Sequence, residues 1–374
     1  VSRSGKYSIA VFPGDGIGDE IMRPCVELLH RACARVGDLT LTTANIPAGA
    51  RAYQELGSAL PESSIDAARE ADAILLAAMG DPAIRYADGT ELTPQIDLRF
   101  ELGLYAGIRP IRSIPGVVSP LSDPRAKDID FVLVRESIEG LFAPQGKSEV
   151  IADLEARETL VITREVSEKL FKASFNLAEA RRRKRKNDKT HLPRLTCIDK
   201  ANVFSAFAFF RKIFYEIAAH YDIPADHAYV DIMSLNLLCK PWDYDVLVTE
   251  NMFGDILSDL GAGLIGGMGY APSADIGDKH AVFQPCHGSA PDIAGQGLAN
   301  PTAMFLSGAM MLDWLAEKHE DDNARRAARL IEHAIDNAFA HGSLVTTELG
   351  GSAGLVEVTQ AVSRELENLD VDDL

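Results

Sequence analysis

Short apolar runs alternate with amphipathic stretches along most of the chain. Residues 8–12 (Ser-Ile-Ala-Val-Phe) read as a strand, and past a glycine turn the spacing predicts an amphipathic helix to about Val36. A strand near 39–45, a helix over 62–70 and a strand over 73–79 continue the alternation until Gly80-Asp81-Pro82 interrupts it. Farther on, the pattern predicts a helix carrying Arg99, strands carrying Arg109 and Arg135, and a helix over about 165–183. It also predicts an apolar strand ending at Asp231, a strand over 246–248 running into a helix, and helices over 301–317 and 324–339. Such alternation favours a mostly parallel sheet in an α/β fold. Residues 148–162 depart from it and read as two extended segments with a turn near Glu155.

Composition narrows the classes. A chain of 374 residues is long enough for two domains or one large α/β unit. The net charge of −18 argues against non-specific binding to nucleic acid or to an anionic membrane. No apolar run approaches the roughly 20 residues of a membrane span, and the N-terminal residues lack a signal-peptide pattern, so a cytoplasmic protein is expected. Five cysteines without CxxC spacing point to reduced thiols rather than to a zinc or disulfide framework.

The densest candidate chemistry lies in Asp245-Val-Leu-Val-Thr-Glu-Asn-Met-Phe-Gly-Asp-Ile-Leu-Ser-Asp-Leu260. Asp255 and Asp259, four apart on a helix, project from one face, and such a pair suits Mg²⁺ or Mn²⁺ with positions left for substrate and water. Asp231 is the candidate third carboxylate. Two aspartates in isolation are better explained as a helix cap (Asp255 after Gly254) and a solvated side chain.

Other segments are ambiguous alone. Pro13-Gly-Asp-Gly-Ile-Gly18 follows a strand and precedes a helix, yet its G-x-G-x-G spacing is not the Rossmann G-x-G-x-x-G, and no acidic residue closes a second strand. The glycine-containing loop to about residue 95 is of a kind that carries specificity. Arg99, Arg109 and Arg135 are each most simply surface ion pairs, although a guanidinium fork suits a dicarboxylate. The run Arg181-Arg-Arg-Lys-Arg-Lys186 reads as the solvated end of its helix, where cations complement the dipole, and residues 184–194 read as an exposed loop. Thr196-Cys-Ile-Asp-Lys-Ala-Asn-Val203 carries Lys200, and Gly266-Gly-Met-Gly-Tyr-Ala-Pro-Ser-Ala274 allows close backbone approach. Gln284-Pro-Cys-His-Gly-Ser-Ala-Pro-Asp-Ile-Ala-Gly-Gln-Gly-Leu-Ala-Asn-Pro301 could be no more than a long connection.

Together these segments are specific. Asn251-Met-Phe-Gly-Asp-Ile-Leu-Ser-Asp259 resembles the metal signature of the β-decarboxylating 2-hydroxyacid dehydrogenases (isopropylmalate, isocitrate, homoisocitrate and tartrate/malate dehydrogenases), and further matches recur in order from about residue 8 to residue 312. The resemblance implies a two-domain α/β fold that is not a Rossmann fold. Residues 1–104 and 266–374 would form an NAD-binding domain, and 105–265 a metal, substrate and dimerisation domain whose arm (148–162) clasps a second subunit. It further implies a homodimer or higher oligomer in which Lys200 serves the partner's site as the catalytic lysine. Asp231, Asp255 and Asp259 would hold the metal, with Asp231 also catalytic, and Arg99, Arg109 and Arg135 would clamp the substrate. Ile17 and Asn202 would lie along the cofactor, Val203 would line the substrate pocket, and His287, Gly288, Ser289, Ala290, Asp292 and Asn300 would form the adenosine-binding loop. A carboxylate at Asp292 accepts from ribose hydroxyls and repels a 2′-phosphate, which favours NAD over NADP.

The chemistry implied is hydride removal from C2 of a malate-type acid, then loss of the carboxylate on C3. Phe142 departs from the pattern, because it stands seven residues after Arg135 where the family carries a tyrosine that protonates C3. The selectivity loop Leu92-Thr-Pro-Gln-Ile96, with Thr93 and Gln95, mixes polar and apolar choices. It ranks isopropylmalate or another alkylmalate first, tartrate or malate second, and a tricarboxylate such as isocitrate third. From another class, Phe142 favours a catalytically weak subunit that binds NAD and a dicarboxylate as a sensor or assembly component, and the intact Lys200 and aspartates oppose it.

Overall fold

A computed structural model describes residues 5–143, 148–185 and 193–371. The strands are β1 (Lys6–Phe12), β2 (Thr40–Asn45), β3 (Ala73–Leu76), β4 (Ala106–Arg112), β5 (Asp130–Glu136), β6 (Glu149–Ile151), β7 (Glu155–Arg157), β8 (Leu195–Asp199), β9 (Ala225–Tyr229), β10 (Val246–Thr249), β11 (Pro272–Ile276) and β12 (Ala281–Pro285). The helices are α1 (Ile17–Val36), α2 (Gly49–Leu56), α3 (Glu62–Glu70), α4 (Pro94–Leu102), α5 (Arg164–Lys184), α6 (Ser205–Ala218), α7 (Val230–Cys239), α8 (Asn251–Leu264), α9 (Thr302–His319), α10 (Asp322–Ala340) and α11 (Leu355–Asn368). No helix among the described residues is long and apolar enough to cross a membrane.

Ten strands form one sheet in the order β2-β1-β3-β12-β11-β4-β5-β10-β8-β9. Both flanks are parallel, as the alternation predicts, and the middle, from β12 through β11 and β4 to β5, is antiparallel. The first flank draws its strands from both ends of the chain and the second from the middle. Strands covered on both faces read as continuous apolar runs rather than alternating ones. Ala73–Leu76 and Val246–Thr249 are buried at every position for this reason. On the second flank Phe171 packs against Phe210 in a tilted contact and against Phe214 edge to face, each ring fully buried and each contributing about 1.5–3 kcal/mol by that burial.

Several sequence expectations change. Helices α2, α6, α7 and α11 were not legible as helices. Asp231 does not end a strand, since β9 stops at Tyr229 and Asp231 lies in the first turn of α7. The β-branched start of that helix imitates a strand. The arm is a two-stranded antiparallel hairpin whose turn precedes Glu155, with Ala152 (φ 50) and Asp153 (φ 57) in the left-handed region.

The basic run is a solvated helix end only in part: Arg183 and Lys184 are exposed, whereas Arg181 and Arg185 turn inward. Arg181 donates to Asp245 (2.7 Å) and Asp130 (3.0 Å), and Arg185 donates to Asp245 (2.9 Å) and also pairs with Asp130. Residues 181 and 185, one turn apart, face the starts of β5 and β10, where Asp245 is almost fully buried and needs cationic partners. Arg182 and Lys184 reach the surface carboxylates Asp222 and Asp313. Lys184 and Arg185 belong to the end of α5 rather than to a loop. Lys186 and most of the expected 184–194 loop lie outside the described residues.

Candidate active site

The turn from β10 into α8 is set by Glu250, whose carboxylate accepts from the backbone N–H of Met252 (3.1 Å) and Phe253 (2.7 Å). Glu250, not Asp255, is therefore the N-cap, and Asp255 and Asp259 stay free to face outward from one side of the helix. Both line a cavity of about 240 Å³. Gly254 lets the helix sit against β5, because a Cβ there would lie 2.6 Å from Arg135 Cγ.

Three arginines from three elements enter the same cavity: Arg99 from α4, Arg109 from β4 and Arg135 from β5. Arg135 donates to Asn251 Oδ1 through Nε (2.9 Å) and its second terminal nitrogen (2.7 Å), and its other terminal nitrogen pairs with Asp255. Burial, with repulsion from Arg99 and Arg109, pulls Arg135 down to about 10 in spite of Asp255, which leaves it charged at neutral pH. Burial and the neighbouring Asp255 push Asp259 up, and Arg135 and Arg109 oppose this. Arg99 Nε and Arg109 Nη2 each donate to Asp275 at 3.0 Å. Gln95 and Phe142 complete this end of the cavity, with the Phe142 ring 5.2 Å from the Arg135 guanidinium carbon. Gln95 Oε1 is buried without a hydrogen-bond partner among the described residues.

Thr93, Lys200, Asn202, Val203 and Asp231 do not line this cavity. Thr93 is the N-cap of α4. Lys200 follows β8 and donates to Asp231 Oδ1 (2.5 Å), and this hydrogen bond holds the Asp231 carboxyl below its usual range. Among the described residues no three potential ligands cluster around one point, so Asp231 does not join Asp255 and Asp259 within one chain. Asp231 is followed by Ile232, Leu235 and Leu238, exposed at 49%, 55% and 49%, while Ile256 on α8 is exposed at 61%. With α7 packed on α8, the two helices carry an unpartnered apolar stripe beside the Lys200–Asp231 pair.

The cofactor candidates gather where the loop after β1 meets the loop after β12. Ile17 N–H donates to Ser289 O (2.8 Å), and Gly16 (φ 56) approaches so closely that a Cβ would fall 2.1 Å from that oxygen. Asp15 accepts from the N–H groups of Ala50 (2.8 Å), Arg51 (3.1 Å) and Gly80 (2.8 Å), which ties the loop after β1 to the start of α2 and to the loop after β3. Ser289 Oγ donates to Gly80 O (2.6 Å), and Ala290 holds φ 37. His287 and Gly288 line the cavity. Burial lowers the His287 pKa, and its Nε2 has no partner among the described residues. Asp292 is exposed. Asn300 bonds within the chain, its Oδ1 accepting from Thr302 N–H (3.1 Å) at the start of α9 and its Nδ2 donating to Glu348 (2.7 Å).

The donor set fits the groups that the motifs imply. Two carboxylates facing a cavity are a normal protein contribution to a Mg²⁺ or Mn²⁺ site shared with substrate. The bare glycine turn, the unpartnered His287 Nε2 and the exposed Asp292 suit a dinucleotide. Sequence reasoning missed Asn251, Asp275, Gln284 and Ser258, all in or behind the cavity wall. For Asp275 and Gln284 the available signal was polar side chains inside short apolar strands.

The sequence profile described as isocitrate/isopropylmalate dehydrogenase matches residues 8–365. A 3-isopropylmalate/3-methylmalate dehydrogenase of Methanocaldococcus jannaschii is 40% identical over 362 residues, covering 96% of this chain and 99% of that protein. A homoisocitrate dehydrogenase of the same organism is 39% identical over 349 residues, covering 92% and 93%. The crystal structure of an isocitrate dehydrogenase from Methylococcus capsulatus superposes with a TM-score of 0.83 at 34% identity, covering 96% of this chain and 99% of the other.

Proposed function

The chain belongs to the isocitrate/isopropylmalate dehydrogenase family, and from that premise we propose that it oxidises the C2 hydroxyl of a 3-substituted malate with NAD and releases the C3 carboxylate as CO₂. Decarboxylating dehydrogenases acting on CH–OH groups define the family. The observation that carries the reading is the convergence of Arg99, Arg109 and Arg135 with Asp255 and Asp259 on one small cavity.

The arginines bind the two substrate carboxylates, whose planar oxygens match guanidinium forks. Asp255 and Asp259, with the partner subunit's Asp231, would hold Mg²⁺ or Mn²⁺. When bound, the ion supplies Lewis-acid polarisation of the C2 oxygen and NAD supplies the hydride acceptor. Lys200 relays the hydroxyl proton, and Asp231 fixes its Nζ. Phe142 offers no proton to C3 but narrows the cavity against water. Asp292 selects NAD, because its carboxylate would face a 2′-phosphate.

The assembly is a homodimer. Lys200 and Asp231 lie away from their own chain's cavity beside the apolar stripe of α7 and α8, so a second copy both covers that stripe and completes the site. The arm, exposing Val150 and Leu154, has no reason to extend from an isolated chain. We place the domain boundaries near residues 104 and 266, with the site in the cleft between the halves.

An alkylmalate is the first substrate reading, in line with the isopropylmalate and methylmalate named for the relative at 40% identity. The unpartnered Gln95 Oε1 favours a second, a malate with a hydroxyl on C3. The test is turnover of 3-isopropylmalate, 3-methylmalate and tartrate with NAD and Mn²⁺ by wild type, Asp255→Asn and Asp259→Asn. Each variant should lose metal-dependent activity at an unchanged melting temperature. Wild-type turnover by both at low Mn²⁺ would refute the metal assignment.

A further inference from the structure

Asp275 sits on β11 between β4 and β12 with a side chain that has no solvent exposure. A buried carboxylate persists only when paired and hydrogen-bonded. Asp275 meets this through three elements: Arg99 Nε of α4 donates to Oδ2 (3.0 Å), Arg109 Nη2 of β4 to Oδ1 (3.0 Å), and Gln284 Nε2 of β12 to Oδ2 (2.5 Å). Burial pushes its pKa up, but Arg109 and Arg99 outweigh it and hold it at about 2, so the group is ionised at any working pH. Gly107, directly opposite Asp275 in the ladder, keeps the space clear. A Cβ there would lie 2.7 Å from Ser137 Oγ, 3.0 Å from Asp275 Oδ1 and 3.3 Å from Arg109 Nη1.

The pattern of used and unused donors is directional. Arg109 Nη1 is taken by the carbonyls of Ile108 (3.2 Å) and Ala274 (2.9 Å), and Nη2 gives one bond to Asp275. Nε and the second Nη2 hydrogen make no bond to the described residues. Among the described residues Arg99 bonds only through Nε, and its side chain lines the cavity. Three guanidiniums in one small cavity repel, and with nothing behind them their side chains would separate when no anion is bound.

We infer that the Asp275–Gln284 pair is a positioning element of the anion site: its single buried negative charge anchors Arg99 and Arg109 from behind, so that their remaining N–H groups present a fixed edge to a substrate carboxylate. Asp275 lies behind the cavity wall and does not touch substrate, whereas Gln284 lines the cavity and holds Asp275 from the side. The inference rests on the reading of Arg99 and Arg109 as carboxylate-binding groups. Its physical content is preorganisation, in which the orientation of two long cationic side chains is set during folding rather than at the moment of binding.

The test is calorimetric titration of malate, in the presence of Mn²⁺, into wild type, Arg109→Gln, Asp275→Asn and the double variant Asp275→Asn/Gln284→Glu, with melting temperatures recorded in parallel. The double variant moves the charge to the other member of the hydrogen-bonded pair. Asp275→Asn should weaken malate binding by about tenfold or more, and the double variant should recover to within about tenfold of wild type. Rescue of affinity by a relocated charge is not expected of a residue that only stabilises the sheet. If Arg109→Gln binds malate like wild type, the carboxylate-clamp reading itself fails. If Arg109→Gln loses binding while folded Asp275→Asn keeps it, the clamp stands and the positioning inference is overturned. Should Asp275→Asn not fold, the double variant decides, because a folded double variant that has lost malate binding by more than about tenfold overturns the inference.

Discussion

Replacing Glu136 by glutamine should remove a pH dependence of stability that this carboxyl imposes. Glu136 closes β5 next to Arg135, is 3% exposed, and folds back to accept from Ile138 N–H (2.7 Å) and Glu139 N–H (3.0 and 2.9 Å to its two oxygens). Burial pushes its pKa from an ordinary 4.5 up to about 7, the backbone donors resist, and the Glu139 and Glu250 carboxylates push it higher. Because the folded value lies above the unfolded one, the native state holds the proton more tightly. The stability this contributes is whole below about 4.5 and is lost as pH rises through about 7. Full titration is worth about 3 kcal/mol, of which about 2.5 kcal/mol falls between about pH 5 and pH 8. Glutamine keeps an acceptor for the two N–H groups and cannot ionise. Urea unfolding of wild type and Glu136→Gln at one protein concentration across that range should therefore show the wild type losing about 2.5 kcal/mol relative to the variant. A constant difference, or one that moves the other way, would mean that Glu136 is ionised in the folded protein and that the burial argument is wrong.

Phe142→Tyr should raise kcat by part of the roughly 10² to 10⁴ that a positioned general acid contributes, and should abolish any NADH burst seen in wild type; an unchanged brisk rate would show that another group already protonates C3. Wild type should bind NAD much more tightly than NADP and Asp292→Lys should narrow the gap, whereas equal affinities in the wild type would remove the argument from the exposed carboxylate. Leu235→Arg, placed in the middle of the apolar stripe on α7, should give a folded but inactive monomer by sedimentation. A fully active monomer would contradict a site completed by a second chain.

Much of this protein is local in origin and could be read from the chain. Continuous apolar runs and period-3.6 apolar spacing marked β1, α1, α3, α5 and the turn from β10 into α8, since a strand buried on both faces and a helix buried on one impose those patterns wherever they occur. Asp255 and Asp259 were recognisable as a pair because four residues separate them on one helix, and Arg99, Arg109 and Arg135 could be assigned to a helix and two strand ends. Helix α7 was not legible, because its β-branched start satisfies a strand pattern equally well and packing against α8 decides the matter. The basic run of α5 carries no sign of which cations are buried; that depends on Asp130 and Asp245, brought beneath it by strands 51 and 64 residues away from Arg181. Asp275 is the sharper case, since pairing with Arg99 and Arg109 spans 176 and 166 residues and arises only where the antiparallel centre of the sheet sets β11 beside β4. Periodicity reports which face of an element is buried, but not what lies against it. The alternation of apolar and polar residues therefore determined the elements and the carriers of the chemistry, while tertiary packing decided which charges meet and left Lys200 and Asp231 outside their own chain's cavity.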